Sequence, residues 1–197
     1  MFDVSTLALQ VRQILTGNIW IIVCCVFYLM WWLMAFKPTG AVPGMKTDWL
    51  LLPALAAGAI GVLMALRGIY KISPDPSSYL FPGGAVIIGG VAAYVILLVV
   101  TLIILKRPVT TELFLIVGWG MLALSEVNAL FASSVFSHGL SIVFVVIIIA
   151  AIAVSLICYI LYYRLAGVSG YIDGMIPLLI VIAITIALSC FIVLPAR

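Results

Sequence analysis

The chain has 197 residues, of which 67% are hydrophobic and 8% are charged, and it carries a net charge of +3. A soluble domain has about 45–50% apolar and about 25% charged residues, so this composition excludes an ordinary water-soluble fold. The basic residues stand singly rather than in runs, which excludes the charge pattern of a nucleic-acid-binding protein. The predicted surroundings of most of the chain are therefore a lipid bilayer.

Six long apolar segments follow one another along the chain, each close to the roughly 20 residues that a helix needs to cross hydrocarbon. In lipid the backbone must satisfy its own hydrogen bonds, and continuous apolar runs favour helices over the alternating strands of a barrel. The sequence predicts an all-α integral membrane protein, a bundle of six transmembrane helices forming one domain over residues 1–197. The predicted spans are 18–36, 49–68, 82–105, 112–131, 139–163 and 174–194.

The ends and connections of these spans carry less information. Val4–Leu15 mixes apolar and polar residues and predicts either a short helix at the headgroup level or an extension of the first span. The first apolar run begins late and lacks a small-residue cleavage site, so a cleaved signal peptide is not expected. Four basic residues on the side of the termini face five on the other, which leaves the orientation open. We expect a plasma (inner) membrane protein of a prokaryote.

An internal repeat is suggested by two similar segments. Tyr70-Lys71 precedes Tyr79 and an apolar span, and Tyr163-Arg164 precedes Tyr171 and another apolar span. The shift between them is three spans, so the pattern predicts two inverted three-helix repeats, an architecture common in transporters. The alternative is that interfacial anchoring selects aromatic and basic residues at the end of any span.

Small residues at four-residue steps predict close helix packing in two spans. They are Ala57, Gly61 and Ala65 in the second span, and Ala85, Gly89 and Ala93 in the third.

The fourth span contains the best candidate for function. Glu126 lies 14 residues after Glu112, or about 21 Å along a helix, and therefore within a hydrocarbon layer about 30 Å thick. A carboxylate at that depth is costly unless it is protonated, paired or wetted, so we predict that Glu126 binds a proton or a cation. Asn128 and Ser125 are expected to orient it, and Trp119 lies toward the same stripe of the helix.

Two alternatives explain the position of Glu126 without a functional role. The carboxylate can pair with a basic group near that surface, such as Arg67 or Lys71, or it can reach the headgroup region if the fourth span is shifted. Gly118 and Gly120 leave room beside it for either a ligand or another helix.

Two further candidates for the binding of a solute or proton lie outside the fourth span. Asp173 stands at the predicted start of the sixth span, where a carboxylate can cap the helix N-terminus instead of binding a ligand. Trp32 belongs to an aromatic cluster near the end of the first span, where interfacial anchoring competes with cation binding.

The sequence gives little support to an enzyme. One segment, Gly167-Val168-Ser169-Gly170, has the Gly-x-Ser-Gly form that surrounds the serine of rhomboid proteases. This resemblance covers only four residues. The only histidine, His138, precedes the serine, whereas the family pattern has the histidine in a later span. Four cysteines inside apolar runs fit neither a disulfide framework nor a metal site, so no cofactor and no metal are predicted. We expect a small transporter or channel-like protein for a small solute or cation, as a homo-oligomer or a subunit of a membrane complex. The alternative is a non-transporting sensor, assembly or interaction subunit.

Overall fold

The computed structural model describes residues 4–35, 48–72, 79–104, 106, 111–162, 164–165 and 167–193, and the regular structure in these ranges is all helical. The six long helices are α1 (Val4–Ala35), α2 (Leu51–Lys71), α3 (Gly83–Val99), α4 (Thr111–Ala132), α5 (His138–Tyr162) and α6 (Val168–Val193). A 3-10 turn precedes α2, and a π-helical segment over Val100–Ile104 continues α3. The predicted all-α fold with six helices long and apolar enough to cross a membrane is confirmed for this part of the chain.

Two helices begin earlier than the sequence predicts. α1 is continuous from Val4, so the residues before the first predicted span extend that helix. α6 begins at Val168, just after Gly167, whose positive φ of 63° ends the preceding turn. Both differences have one cause: hydropathy follows apolar character, whereas a helix also includes polar turns whose backbone bonds are satisfied within it.

The largest hydrophobic core is formed mainly by residues of α1, α4, α5 and α6. α1 packs between α2 and α6, α5 packs between α4 and α6, and α4 also contacts α2, α3 and α6. In the described part of the chain, α5 packs along α6, whereas α2 and α3 are not packed together in the same way. An inverted repeat would relate the pair of α2 and α3 to the pair of α5 and α6. Because these two pairs pack differently, the inverted repeat stays a prediction.

Glycines allow α1 and α2 to approach at backbone distance. A Cβ atom added to Gly17 would lie 2.7 Å from the amide nitrogen of Ala65 and 2.8 Å from the carbonyl oxygen of Gly61. A Cβ added to Gly68 would lie 2.9 Å from the carbonyl oxygen of Gln10. The small-residue face predicted for the second span is buried here, which confirms its role in packing.

The corresponding face of α3 is different. Ala85, Gly89 and Ala93 are exposed, and nothing lies within 4 Å of a Cβ built on Gly89. Gly90 lies against Met121 of α4 instead. No helix in the described part of the chain packs on this stripe, because small residues permit close approach without supplying the partner.

The exterior of the bundle is apolar. Large apolar side chains are exposed, among them Leu52, Leu55, Ile88 and Ile103. The basic residue Arg67 is also exposed, near the end of α2. Apolar surface on this scale is rare on proteins that live in water. This surface is compatible with contact between the helices and lipid.

Candidate functional site

Glu126 is sealed inside the bundle. Its side chain is 1% exposed. It lies on α4 six residues before Ala132, the last residue of that helix, which corresponds to about 9 Å along the axis. The carboxyl group is therefore neither at the helix end nor at the protein surface.

A narrow cavity adjoins Glu126 where three helices meet. It has no room for a water molecule. The lining residues are Asn18 and Ile21 of α1, Trp119, Leu122, Ala123 and Glu126 of α4, and Thr185 and Leu188 of α6. The carboxyl group therefore lies at a junction that is closed to water in this conformation.

The polar groups of the cavity are incompletely hydrogen-bonded. The Asn18 side chain lies beside the Glu126 carboxyl group, yet Asn18 Nδ2 and Thr185 Oγ1 have no hydrogen-bond partner among the described residues. A buried polar atom without a partner costs about 1–3 kcal/mol. Such groups are uncommon in native proteins and call for a cause, such as a missing ligand or a second conformation. These two groups can form hydrogen bonds to a ligand at this junction, or to Glu126 when its protonation state changes.

Among the described residues, no basic group forms the ion pair with Glu126 that would compete with a functional role. None of the eight residues that line the cavity is basic. Arg67 and Lys71, the suggested partners, are exposed near the end of α2, whereas Glu126 is buried. Apart from Asn18 and Thr185, the residues that surround the carboxyl group are hydrophobic.

The hydrogen bonds of Asn128 run to the segment before α3. Its Oδ1 accepts hydrogen bonds from the backbone N–H groups of Leu80 (2.9 Å) and Phe81 (3.4 Å), and its Nδ2 donates to the Phe81 carbonyl oxygen (3.0 Å). Ser125 Oγ donates to the Met121 carbonyl oxygen of its own helix at 2.7 Å. Asn128 therefore holds the segment before α3 against α4, and neither side chain uses these bonds to orient Glu126.

Asn128→Ala is expected to lower the free energy of unfolding by about 1–3 kcal/mol, because three hydrogen bonds to a partly buried segment lose their partner. Chemical unfolding in detergent measures the change. Ser125→Ala is the matched control on the same helix, and its effect should stay within about 0.5 kcal/mol. Equal stabilities of the two variants would contradict a holding role for Asn128.

Trp32 and Asp173 lie together at a second location. Trp32 Nε1 donates to the carbonyl oxygen of Tyr171 at 3.2 Å, and the Trp32 ring packs against Gly174 so closely that a Cβ there would collide with it. Asp173 is 7% exposed and has Cys158 of α5 beside it. Asp173 is not the N-cap that the sequence predicts, because α6 begins five residues earlier, at Val168.

The candidate residues thus form two groups. Trp119 joins Glu126, while Trp32 joins Asp173. Asp173 and Thr185 are twelve residues apart on α6, or about 18 Å, so the two carboxyl groups lie at different depths along the contact between α1 and α6. Among the described residues, no cluster of three or more acidic, cysteine or histidine side chains is placed to hold a metal ion.

Two residues of the cavity are not predicted from the sequence. Asn18 marks the start of the first predicted span and is therefore expected at the interface, yet α1 runs through it and it is 1% exposed. Thr185 is one of few polar residues in an apolar helix, and it is 2% exposed. The usable signal is the same as for Glu126, namely a polar side chain well inside an apolar helix.

No protein-family model, curated protein or solved structure matches this chain. The part of the chain that the structure describes has six helices, each long and apolar enough to cross a membrane, and a carboxyl group buried where three of them meet.

Proposed function

We propose that this protein is a small multi-pass transporter of the plasma (inner) membrane of a prokaryote. It moves a small solute or cation and couples that movement to a proton through Glu126. The observation that carries the proposal is the sealed carboxyl group, 1% exposed, with no basic residue in the cavity beside it. An ionisable group inside a membrane is expensive and is usually retained for function.

The surroundings of Glu126 support a coupling role. A low-dielectric environment disfavours the charged carboxylate, so loss of the proton favours a rearrangement that brings water or a cation to the group. Asn18 on α1 and Thr185 on α6 have unpaired polar atoms that can follow such a change. Because the cavity lies between α1, α4 and α6, opening it on one side means moving these helices relative to each other. In this proposal the closed junction is a state in which Glu126 has no access to water, and an alternating-access cycle opens it to one side at a time.

Transport is tested with purified protein in liposomes that contain a pH-sensitive dye. A panel of monovalent cations, organic ammonium ions and small neutral solutes is added outside, and the internal pH is recorded. We expect at least one solute to change the internal pH faster in proteoliposomes than in protein-free liposomes. The same solute should move uphill when a pH gradient is imposed. Identical traces for both preparations across the panel would contradict the proposal.

A second class, a non-transporting subunit of a larger membrane complex, is favoured by one observation. α3 contacts chiefly α4 and exposes the stripe of Ala85, Gly89 and Ala93, a pattern suited to a further helix. The test is to purify the protein from its native membrane in mild detergent and to measure the mass of the complex. A stable hetero-complex combined with no solute movement would favour this class over the transporter.

A further inference from the structure

Asp173 has an oxygen atom without a partner in the interior of the protein. The residue is 7% exposed, and its Oδ2 has no hydrogen-bond partner among the described residues. A buried, unpaired carboxylate oxygen is among the most costly polar groups that a protein can hold. Capping does not explain it, because Asp173 lies in the second turn of α6.

A second acceptor lies in the same residue. Pro177 is inside α6, four residues after Asp173. Proline has no N–H group, so it cannot donate the helical hydrogen bond that the Asp173 carbonyl oxygen would otherwise accept. A carboxylate oxygen and a carbonyl oxygen that lacks its usual donor thus occur together. In transporters, main-chain oxygens that are freed from helical hydrogen bonds coordinate cations.

Among the described residues, the side chains that α1 and α5 place beside this point carry no positive charge. α1 presents Trp32, which does not ionise, and α5 presents Cys158 beside the carboxylate and Tyr162 against the Trp32 ring, with 5.5 Å between the ring centroids. Arg164, the nearest described basic residue in sequence, is exposed. The excess of negative potential is therefore left for an external cation to neutralise.

We propose that Asp173, with the main-chain oxygen released by Pro177, is a binding site for one small monovalent cation, a proton or Na⁺, separate from Glu126. Oxygen donors of this kind suit hard cations, and one positive charge balances one carboxylate. The site stands on its own geometry and does not depend on transport through Glu126.

Trp32 provides a built-in reporter for the test, since its ring packs against Gly174, the residue next to Asp173. The purified full-length protein is titrated in detergent, once with pH at constant Na⁺ and once with NaCl at constant pH, with N-methylglucamine chloride as the ionic-strength control. Emission is recorded for the wild type and for Trp32→Phe, and the difference between them is the Trp32 signal. We expect a saturable Trp32 signal in one titration, and the titration that shows it identifies the cation.

Three variants decide the origin of the signal. Asp173→Asn should abolish it, while Cys158→Ser should keep it and so exclude the neighbouring thiol. Pro177→Ala restores the helical N–H, so it should weaken binding by about tenfold, the equivalent of one hydrogen-bond acceptor, while raising the melting temperature. A residue that only supports the helix would not combine weaker binding with higher stability.

Absence of a Trp32 signal in both titrations would overturn the proposal, and so would an unchanged signal in Asp173→Asn. If Asp173→Asn fails to fold, Pro177→Ala still decides: unchanged affinity in that variant contradicts the site. Glu126→Gln should retain the Trp32 signal. Loss of transport through Glu126 and loss of the Asp173 site are therefore distinguishable.

Discussion

Replacing Glu126 with glutamine is expected to abolish proton-coupled transport and to leave the protein at least as stable as the wild type. Glutamine has nearly the same size and keeps polar atoms toward Asn18, but it cannot exchange a proton. It also removes the cost of burying an ionisable group, so the free energy of unfolding should rise by up to about 3 kcal/mol. A gain in stability with a loss of function is typical of a functional site.

The measurement pairs proton movement in liposomes with thermal unfolding of the same preparations. Glu112→Gln is the matched control, since it makes the same substitution near the start of α4, away from Glu126. It should transport at the wild-type rate. Full activity of Glu126→Gln would contradict the coupling role, and a strongly destabilised Glu126→Gln protein would indicate a structural role instead.

Gly17→Leu is expected to prevent α1 and α2 from assembling. A Cβ atom at this position would meet Ala65 and the carbonyl oxygen of Gly61 at 2.7–2.8 Å. Backbone atoms cannot move aside as a flexible side chain can, so the helices must separate. Overpacking costs about 1–3 kcal/mol where a core can adapt, and here we expect the upper end of that range or more. The expected result is aggregation or a greatly reduced yield of monodisperse protein.

The control for this substitution is Gly89→Leu on α3, where nothing lies within 4 Å of the added Cβ atom. It should leave the yield and melting temperature close to those of the wild type. Size-exclusion chromatography in detergent, followed by thermal unfolding, compares the two variants. Equal behaviour of both would show that α1 and α2 do not pack through Gly17.

The six helices are predictable because a run of about 20 apolar residues is a strong and local signal. Helix starts are less predictable: α6 includes Ser169, Gly170 and Asp173, whose small or polar character resembles a loop. Close packing is predicted for both small-residue stripes, and within the described part of the chain it is confirmed only for the stripe of α2. Gly61 faces α1 at backbone distance, whereas Gly89 faces open space, and spacing alone does not reveal which helix lies opposite.

Of the residues at the site, the sequence best predicts Glu126. Glu126 is identified by the cost of burying a carboxyl group, and that cost is a property of the residue and its depth. Asn18 and Thr185 reach the same cavity from helices far away in sequence, so their role depends on tertiary contacts. Asn128 shows that nearness in sequence can mislead. It lies two residues after Glu126 and is predicted to orient that carboxyl group, whereas its hydrogen bonds run to Leu80 and Phe81.

The exchange of a proton at Glu126 is tested most directly by infrared difference spectroscopy of the protein in lipid, between acidic and alkaline buffer. A protonated carboxyl group has its own C=O stretching band, which changes on deuteration. We expect a difference band that disappears in Glu126→Gln and persists in Glu112→Gln and Asp173→Asn. Spectra in which Glu126→Gln loses no carboxyl band would contradict a protonation change at this residue.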